Sequence, residues 1–189
     1  MVNKIPSELD NPIDVILYDQ VDRDLEFYKS LGLTPNGLTT LSLIIGVLGV
    51  YNFYYDNNFL GAMLFFIAYY FDCADGKMAR KYKMFTKYGG LYDEISDTIK
   101  HICLYVVMFI KSFDKFIKVL IISVIIYIFT LFYSYCQEKI NGKNENSDYK
   151  NFFNINLENC EEKIKYLKYF GPGTPMTFLT LSILLWNKI

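Results

Sequence analysis

Residues 58–97 read NFLGAMLFFIAYYFDCADGKMARKYKMFTKYGGLYDEISD, an apolar run that turns acidic, then basic, then acidic again. The apolar part, Asn58 to Phe71, runs into Asp72 and Asp75; a second apolar run, Leu91 to Ile110, opens with Asp93 and Asp97. On a helix, Asp72 and Asp75 are three apart and share a face, which Gly76 and Ala79 continue, with Arg80 one turn beyond Gly76. That stripe is about 12 Å long at 1.5 Å per residue. Gly89, Asp93 and Asp97 are each four apart and line one face of the following helix. Residues 81–88 are enough for a turn that makes the two helices antiparallel neighbours, so four carboxylates are expected to converge near a membrane surface.

Other apolar runs flank this stretch. Leu38 to Tyr55 precedes it, and Phe116 to Cys136 and Tyr169 to Trp186 follow. A span needs on the order of 20 mostly apolar residues, and all five runs are candidates. Proline is absent between Asn36 and Gly171, which suits long unbroken helices. Across the 189 residues, apolar types make up 52 % and aromatics 18 %, with a mean hydropathy of +0.17. The expectation is an all-α, polytopic membrane helix bundle with five or six transmembrane helices. The net charge of −1 gives no global basic field and excludes nucleic acid as the expected partner.

The N-terminal residues 1–14 are polar and lack the apolar core of a signal peptide. From Ile13 to Tyr28, apolar side chains recur at Ile13, Ile16, Leu17, Val21, Leu25 and Tyr28, while Asp14, Asp19, Asp22 and Asp24 take other faces. An amphipathic helix on the membrane surface is expected, the alternative being one packed on protein. Residues 1–33 thus form an arm with an interfacial helix, and residues 34–189 the transmembrane domain. Lys77, Arg80, Lys81, Lys83 and Lys87 crowd the turn after the first acidic pair, and the stretch 137–168 is also lysine-rich. Lys111, Lys115 and Lys118 lie at the opposite end. By the positive-inside rule the acidic region faces the cytoplasm. Residues 141–148 read as a mobile polar loop. The four cysteines, Cys73, Cys103, Cys136 and Cys160, form no C-x-x-C pair and are expected to be buried reduced thiols.

Four anions at a membrane boundary repel one another, and a divalent cation resolves the conflict. An all-oxygen set without His or Cys pairs points to Mg²⁺ or Mn²⁺ over zinc. Arg80, one of only two arginines against 17 lysines, can bind phosphate oxygens bidentately. Any one of these carboxylates would pass for a solvated helix-end residue. The set of eight fixed positions is not expected by chance.

That set, D-x2-D-G-x2-A-R-x8-G-x3-D-x3-D over 26 residues, resembles the signature of the CDP-alcohol phosphatidyltransferase family at all eight positions. Upstream, Thr34-Pro35-Asn36-Gly37-Leu38-Thr39 is similar to the segment that opens the family's first transmembrane helix. The resemblance implies an all-helical, homodimeric membrane enzyme of phospholipid biosynthesis, open to the cytoplasm and the bilayer. Such an enzyme moves a phosphatidyl or phospho-alcohol group from a CDP-linked donor to an alcohol hydroxyl and releases CMP. It implies that Asp72, Asp75 and Asp93 bind a pair of metal ions with Asp97, which is also the general base. Gly76, Ala79, Arg80 and Gly89 are implied to bind the donor. Family members have six transmembrane helices where five runs are counted here.

Cys73 points to another helix face and is read as packing. Two ionisable residues lie beyond Asp97: His101, the only histidine, and Lys100 beside it. Either they neutralise or hydrogen-bond the carboxylates, or snorkel, or His101 touches the acceptor alcohol. No arginine comes soon after the Pro35-Asn36-Gly37-Leu38-Thr39-Thr40 opening, where resemblance to the family's glycerophosphate enzymes implies one, and this tilts the acceptor towards an uncharged or zwitterionic alcohol. Two other readings remain at this point. One is an intramembrane prenyltransferase. The other is a non-catalytic or ion-transporting membrane protein using the acidic cluster as a cation site, where Gly76, Ala79 and Arg80 have no role.

Overall fold

The structure is a computed structural model and describes residues 5–140 and 159–189. Among these residues it is helical, without strands. The helices are α1 (Pro12–Ser30), α2 (Pro35–Tyr54), α3 (Asn58–Tyr82), α4 (Gly89–Lys111), α5 (Phe113–Ile140), α6 (Cys160–Leu167) and α7 (Gly173–Leu184). The polar loop expected at 141–148 lies outside the described residues.

Local chemistry sets the boundaries. Asn11 caps α1 by accepting from the backbone N–H groups of Ile13 and Asp14, with Pro12 in the first turn. Thr34 caps α2 in the same way through Gly37 N, at 3.2 Å, with Pro35 behind it. Lys83, in the left-handed region at φ 54°, ends α3 and starts the turn to α4.

Helix α2 is the organising element, because α3 and α4 both lie against it. The acidic ends of α3 and α4 are neighbours through their side chains, as expected, while their backbones stay apart on α2. Spacing along one chain shows which residues share a helix face, but not which third helix packs against both. The α2–α3 contact is backbone on backbone. A Cβ on Gly49 would lie 2.9 Å from Gly61 O, and one on Gly61 would lie 2.9 Å from Gly49 O. Small residues at helix interfaces are how membrane bundles gain close packing.

Helix α1 buries Leu17, Val21 and Leu25 within the bundle, leaving Ile16 and Phe27 exposed on its outer side. Three of its acidic residues are also engaged. Asp22 pairs with Lys77 of α3 at 2.5 Å, and Asp24 accepts from Tyr70 at 2.5 Å. Asp14 accepts from the Tyr69 hydroxyl and from Gly173 N. Just ahead of α1, Asp10 accepts from Tyr133 of α5, and Asn11 donates to Lys168 O.

Of the five apolar runs, those in α2, α3 and α5 are long and apolar enough to cross a membrane by length and composition. Helix α4 carries the charged residues of the site within its length, and α7 has 12 residues. The reduced-thiol expectation fails for one pair. Cys136 and Cys160 form a disulfide, with Cα atoms 5.1 Å apart, because α6 lies against α5. Their separation of 24 residues in sequence gave no sign of this. Cys73 and Cys103 are free thiols, Cys73 buried.

Gly49→Val should separate α2 from α3, at a cost of about 1–3 kcal/mol. Thermal unfolding in detergent is expected to show a clear fall in Tm. Gly90→Ala, where a Cβ meets nothing within 4 Å, should leave Tm nearly unchanged.

Candidate metal and nucleotide site

The C-terminal part of α3 and the N-terminal part of α4 bring their acidic faces together over α2. One carboxylate oxygen each from Asp72, Asp75 and Asp93 lies within 4.8 Å of the others. Asp75 is buried, whereas Asp72 and Asp93 are half-buried. Oxygens this close, without sulfur or nitrogen donors, match the ligand chemistry of a hard divalent cation. These three residues therefore fit a metal site.

Helix α2 supplies the floor. Thr39 donates to Asp75 Oδ2 at 2.5 Å, which fixes one oxygen of that carboxylate. Ser42 donates to Ala68 O at 2.8 Å and accepts from Lys100 Nζ at 2.7 Å. At the edge, the hydroxyls of Thr40 and Tyr92 lie 2.9 Å apart and tie α2 to the start of α4.

Asp97 stands beside the three-carboxylate group without belonging to it. Its Oδ1 is 2.6 Å from Lys100 Nζ, which also lies 3.4 Å from Asp72 Oδ1. Lys100 thus bridges Asp97 and Asp72, the neutralising role among those open to it from sequence. Its stem passes over Gly46, where a Cβ would come within 2.7 Å of Lys100 Cδ. Thr39, Ser42 and Gly46 were missed as site residues. Their signal was a stripe of small residues with Gly49, at spacings of three, four and three along α2.

A cavity of about 180 Å³ opens beside Asp75 and Asp93. Gly76, Ala79, Arg80 and Gly89 all line it, so the four expected donor-binding residues come together, along with Pro35 and Asn36 of α2. Arg80 folds back over Gly76, where a Cβ would be 3.2 Å from its Nη1. A Cβ on Gly89 would be 2.7 Å from Thr86 Oγ1 and 3.3 Å from Asn36 Oδ1. The glycines keep the cavity wall thin on both helices, so a ligand can approach the backbone closely.

His101 is directed elsewhere. Its Nδ1 is 2.8 Å from Asp97 O and its Nε2 is 3.3 Å from Met176 Sδ. It lines a second, apolar cavity of about 420 Å³ between α4, α5 and α7, together with Thr98, Tyr105 and Leu179.

Comparison with known proteins gives this arrangement a context. An archaetidylinositol phosphate synthase of Pyrococcus horikoshii is 30 % identical over 99 residues, covering 52 % of this chain and 48 % of that protein. A CDP-diacylglycerol–glycerol-3-phosphate 3-phosphatidyltransferase of Rickettsia felis is 35 % identical over 81 residues, 41 % of this chain and 44 % of that one. The chain thus spans about half the length of the curated relatives it matches. No solved structure matches. The model of the CDP-alcohol phosphatidyltransferase family matches residues 32–150, a region that holds every carboxylate and glycine of the site. On that match, which extends over more than half of its length, the chain belongs to the CDP-alcohol phosphatidyltransferase family.

Proposed function

We propose that the protein transfers a phosphatidyl or phospho-alcohol group from a CDP-linked donor to an alcohol hydroxyl, as a step of phospholipid synthesis. The observation that carries this reading is the meeting of three carboxylate oxygens beside a cavity walled by Gly76, Ala79, Arg80 and Gly89. An ion-transport or scaffold role would leave that cavity without a purpose.

In the proposed reaction the acceptor oxygen forms a bond to the donor phosphorus that carries the lipid or alcohol. The bond from that phosphorus to the CMP oxygen breaks, and CMP leaves with its electron pair. Arg80 binds diphosphate oxygens with its paired N–H groups. Gly76, Ala79 and Gly89 admit the donor close to the helix backbones. Asp97 receives the hydroxyl proton, and Lys100 fixes the direction of its carboxylate. Asp72, Asp75 and Asp93, with Asp97 for a second ion, would hold Mg²⁺ or Mn²⁺. The ions would neutralise the diphosphate and the charge that develops on the leaving group.

The five cations from Lys77 to Lys87 support a cytoplasmic location for this end of the bundle. The family resemblance supports a homodimer in the bilayer. Two observations divide on the acceptor. The relatives are named for an inositol phosphate lipid and for glycerol 3-phosphate, which favours a phosphate-bearing alcohol. Arg80 lines the donor cavity and Lys100 is committed to carboxylates, which favours an uncharged or zwitterionic one.

Purified protein supplied with CDP-diacylglycerol and a panel of alcohols should release CMP with one acceptor class. EDTA should abolish release, and Mg²⁺ or Mn²⁺ should restore it. Absence of CMP release across donors and acceptors would overturn the reading. Asp97→Asn is expected to slow CMP release by roughly 10²–10⁴-fold. Binding of the cytidine nucleotide should be largely retained, and full activity in this variant would remove Asp97 from the role of base.

A further inference from the structure

Lys100 is a charged side chain that is 1 % exposed, in a helix whose outer face is apolar. Lys100 lies midway along α4, and a lysine in an apolar helix ordinarily extends its stem to bring the ammonium to water. This one turns inward. Its ammonium has three donors, and three acceptors surround it: Asp97 Oδ1 at 2.6 Å, Ser42 Oγ at 2.7 Å and Asp72 Oδ1 at 3.4 Å. The Ser42 proton is committed to Ala68 O, so a lone pair of that hydroxyl faces Lys100. Gly46 leaves the channel for the stem, since any side chain there would collide with Lys100 Cδ and Cγ. Three residues of α2 and α3 are thus shaped around an ammonium that α4 delivers.

We propose that Lys100 is the built-in cation of the carboxylate cluster, a positioning residue that holds one end of it together before metal binds. It holds Asp97 and Asp72 together and leaves Asp75 and Asp93 facing the cavity, where a divalent ion held with Asp72 offsets two more negative charges. The bundle can therefore fold before any metal binds, because Lys100 already offsets one charge of the half-buried Asp72 and Asp97 pair. A second ion between Asp72 and Asp97 has to displace the ammonium, so the two metal positions are unequal. The inference rests on the cation-binding half of the function proposed above and does not depend on group transfer.

The test is thermal unfolding of the full chain in detergent, in EDTA and with Mg²⁺ or Mn²⁺ alone. In EDTA, Lys100→Met should lower Tm by roughly 10 °C, because it strands two half-buried carboxylates without their partner. Divalent ions should recover most of that loss, whereas wild type should gain less from them. Adding Asp97→Asn to Lys100→Met returns the cluster to its wild-type formal charge and should restore stability in EDTA. If Lys100 served only to fill space, the double variant would be no better than the single one, and that result would overturn the inference. A Lys100→Met protein as stable in EDTA as wild type would overturn it too. If Lys100→Met fails to fold, recovery of folded protein in the double variant supports the charge role, and its failure refutes it. Tm values of every variant that ignore divalent ions would instead overturn the metal site itself, so the two failures can be told apart.

Discussion

Four carboxylates at the edge of a hydrophobic bundle repel one another at short range, and every other feature of this site is arranged around that repulsion. In water the charges would be screened. Between three packed helices the screening is weak, and proximity that is useful for binding a cation works against folding. The protein divides the problem among several groups. Thr39 donates to Asp75, Lys100 bridges Asp72 and Asp97, and the remaining oxygens meet at a distance suited to a small hard ion. No single partner neutralises the cluster, so its geometry depends on how three helices meet.

That dependence makes α2 more than a support beneath the acidic helices. Both α3 and α4 pack against its small face, where Gly49 meets the α3 backbone and Gly46 makes way for Lys100, and that face sets their separation. The same face carries the hydroxyls of Thr39 and Ser42, which reach the cluster from below. Packing and electrostatics thus use one stripe of one helix. A substitution that only adds bulk there would also move charges.

Much of the chemistry was legible in residues 72–97, because helical periodicity assigns side chains to a face from sequence alone. Asp72, Asp75 and Asp93 meet as that periodicity requires, and Gly76, Ala79, Arg80 and Gly89 line one cavity. What periodicity cannot supply is the partner of each face. It could not place α2 against both acidic helices, and so Gly46 and Ser42 carried no visible role. It could not decide whether the apolar stripe of α1 meets lipid or protein, and Leu17, Val21 and Leu25 are buried in the bundle. The Cys136–Cys160 bond escaped for a related reason, since the return of α6 onto α5 is a tertiary event with no local signature.

The rear of α3 explains why α1 belongs to the working structure. While Asp72, Asp75 and Ala79 face the site, Tyr70 and Lys77 look the other way and bond to Asp24 and Asp22 of α1, and Tyr69, on the flank, bonds to Asp14. Lys77 also donates to Tyr18 O, at 2.8 Å. Asp14 in turn accepts from Gly173 N, which ties the same helix to the entry of α7. Three polar links along about two turns resist rotation of α3 about its own axis, the motion that would swing the carboxylates out of register. A rotation of one residue turns a helical side chain by about 100°, so even a fraction of that would separate Asp75 from Asp93. The carboxylates can be held close without slack because the opposite face of their helix is pinned by charges of its own.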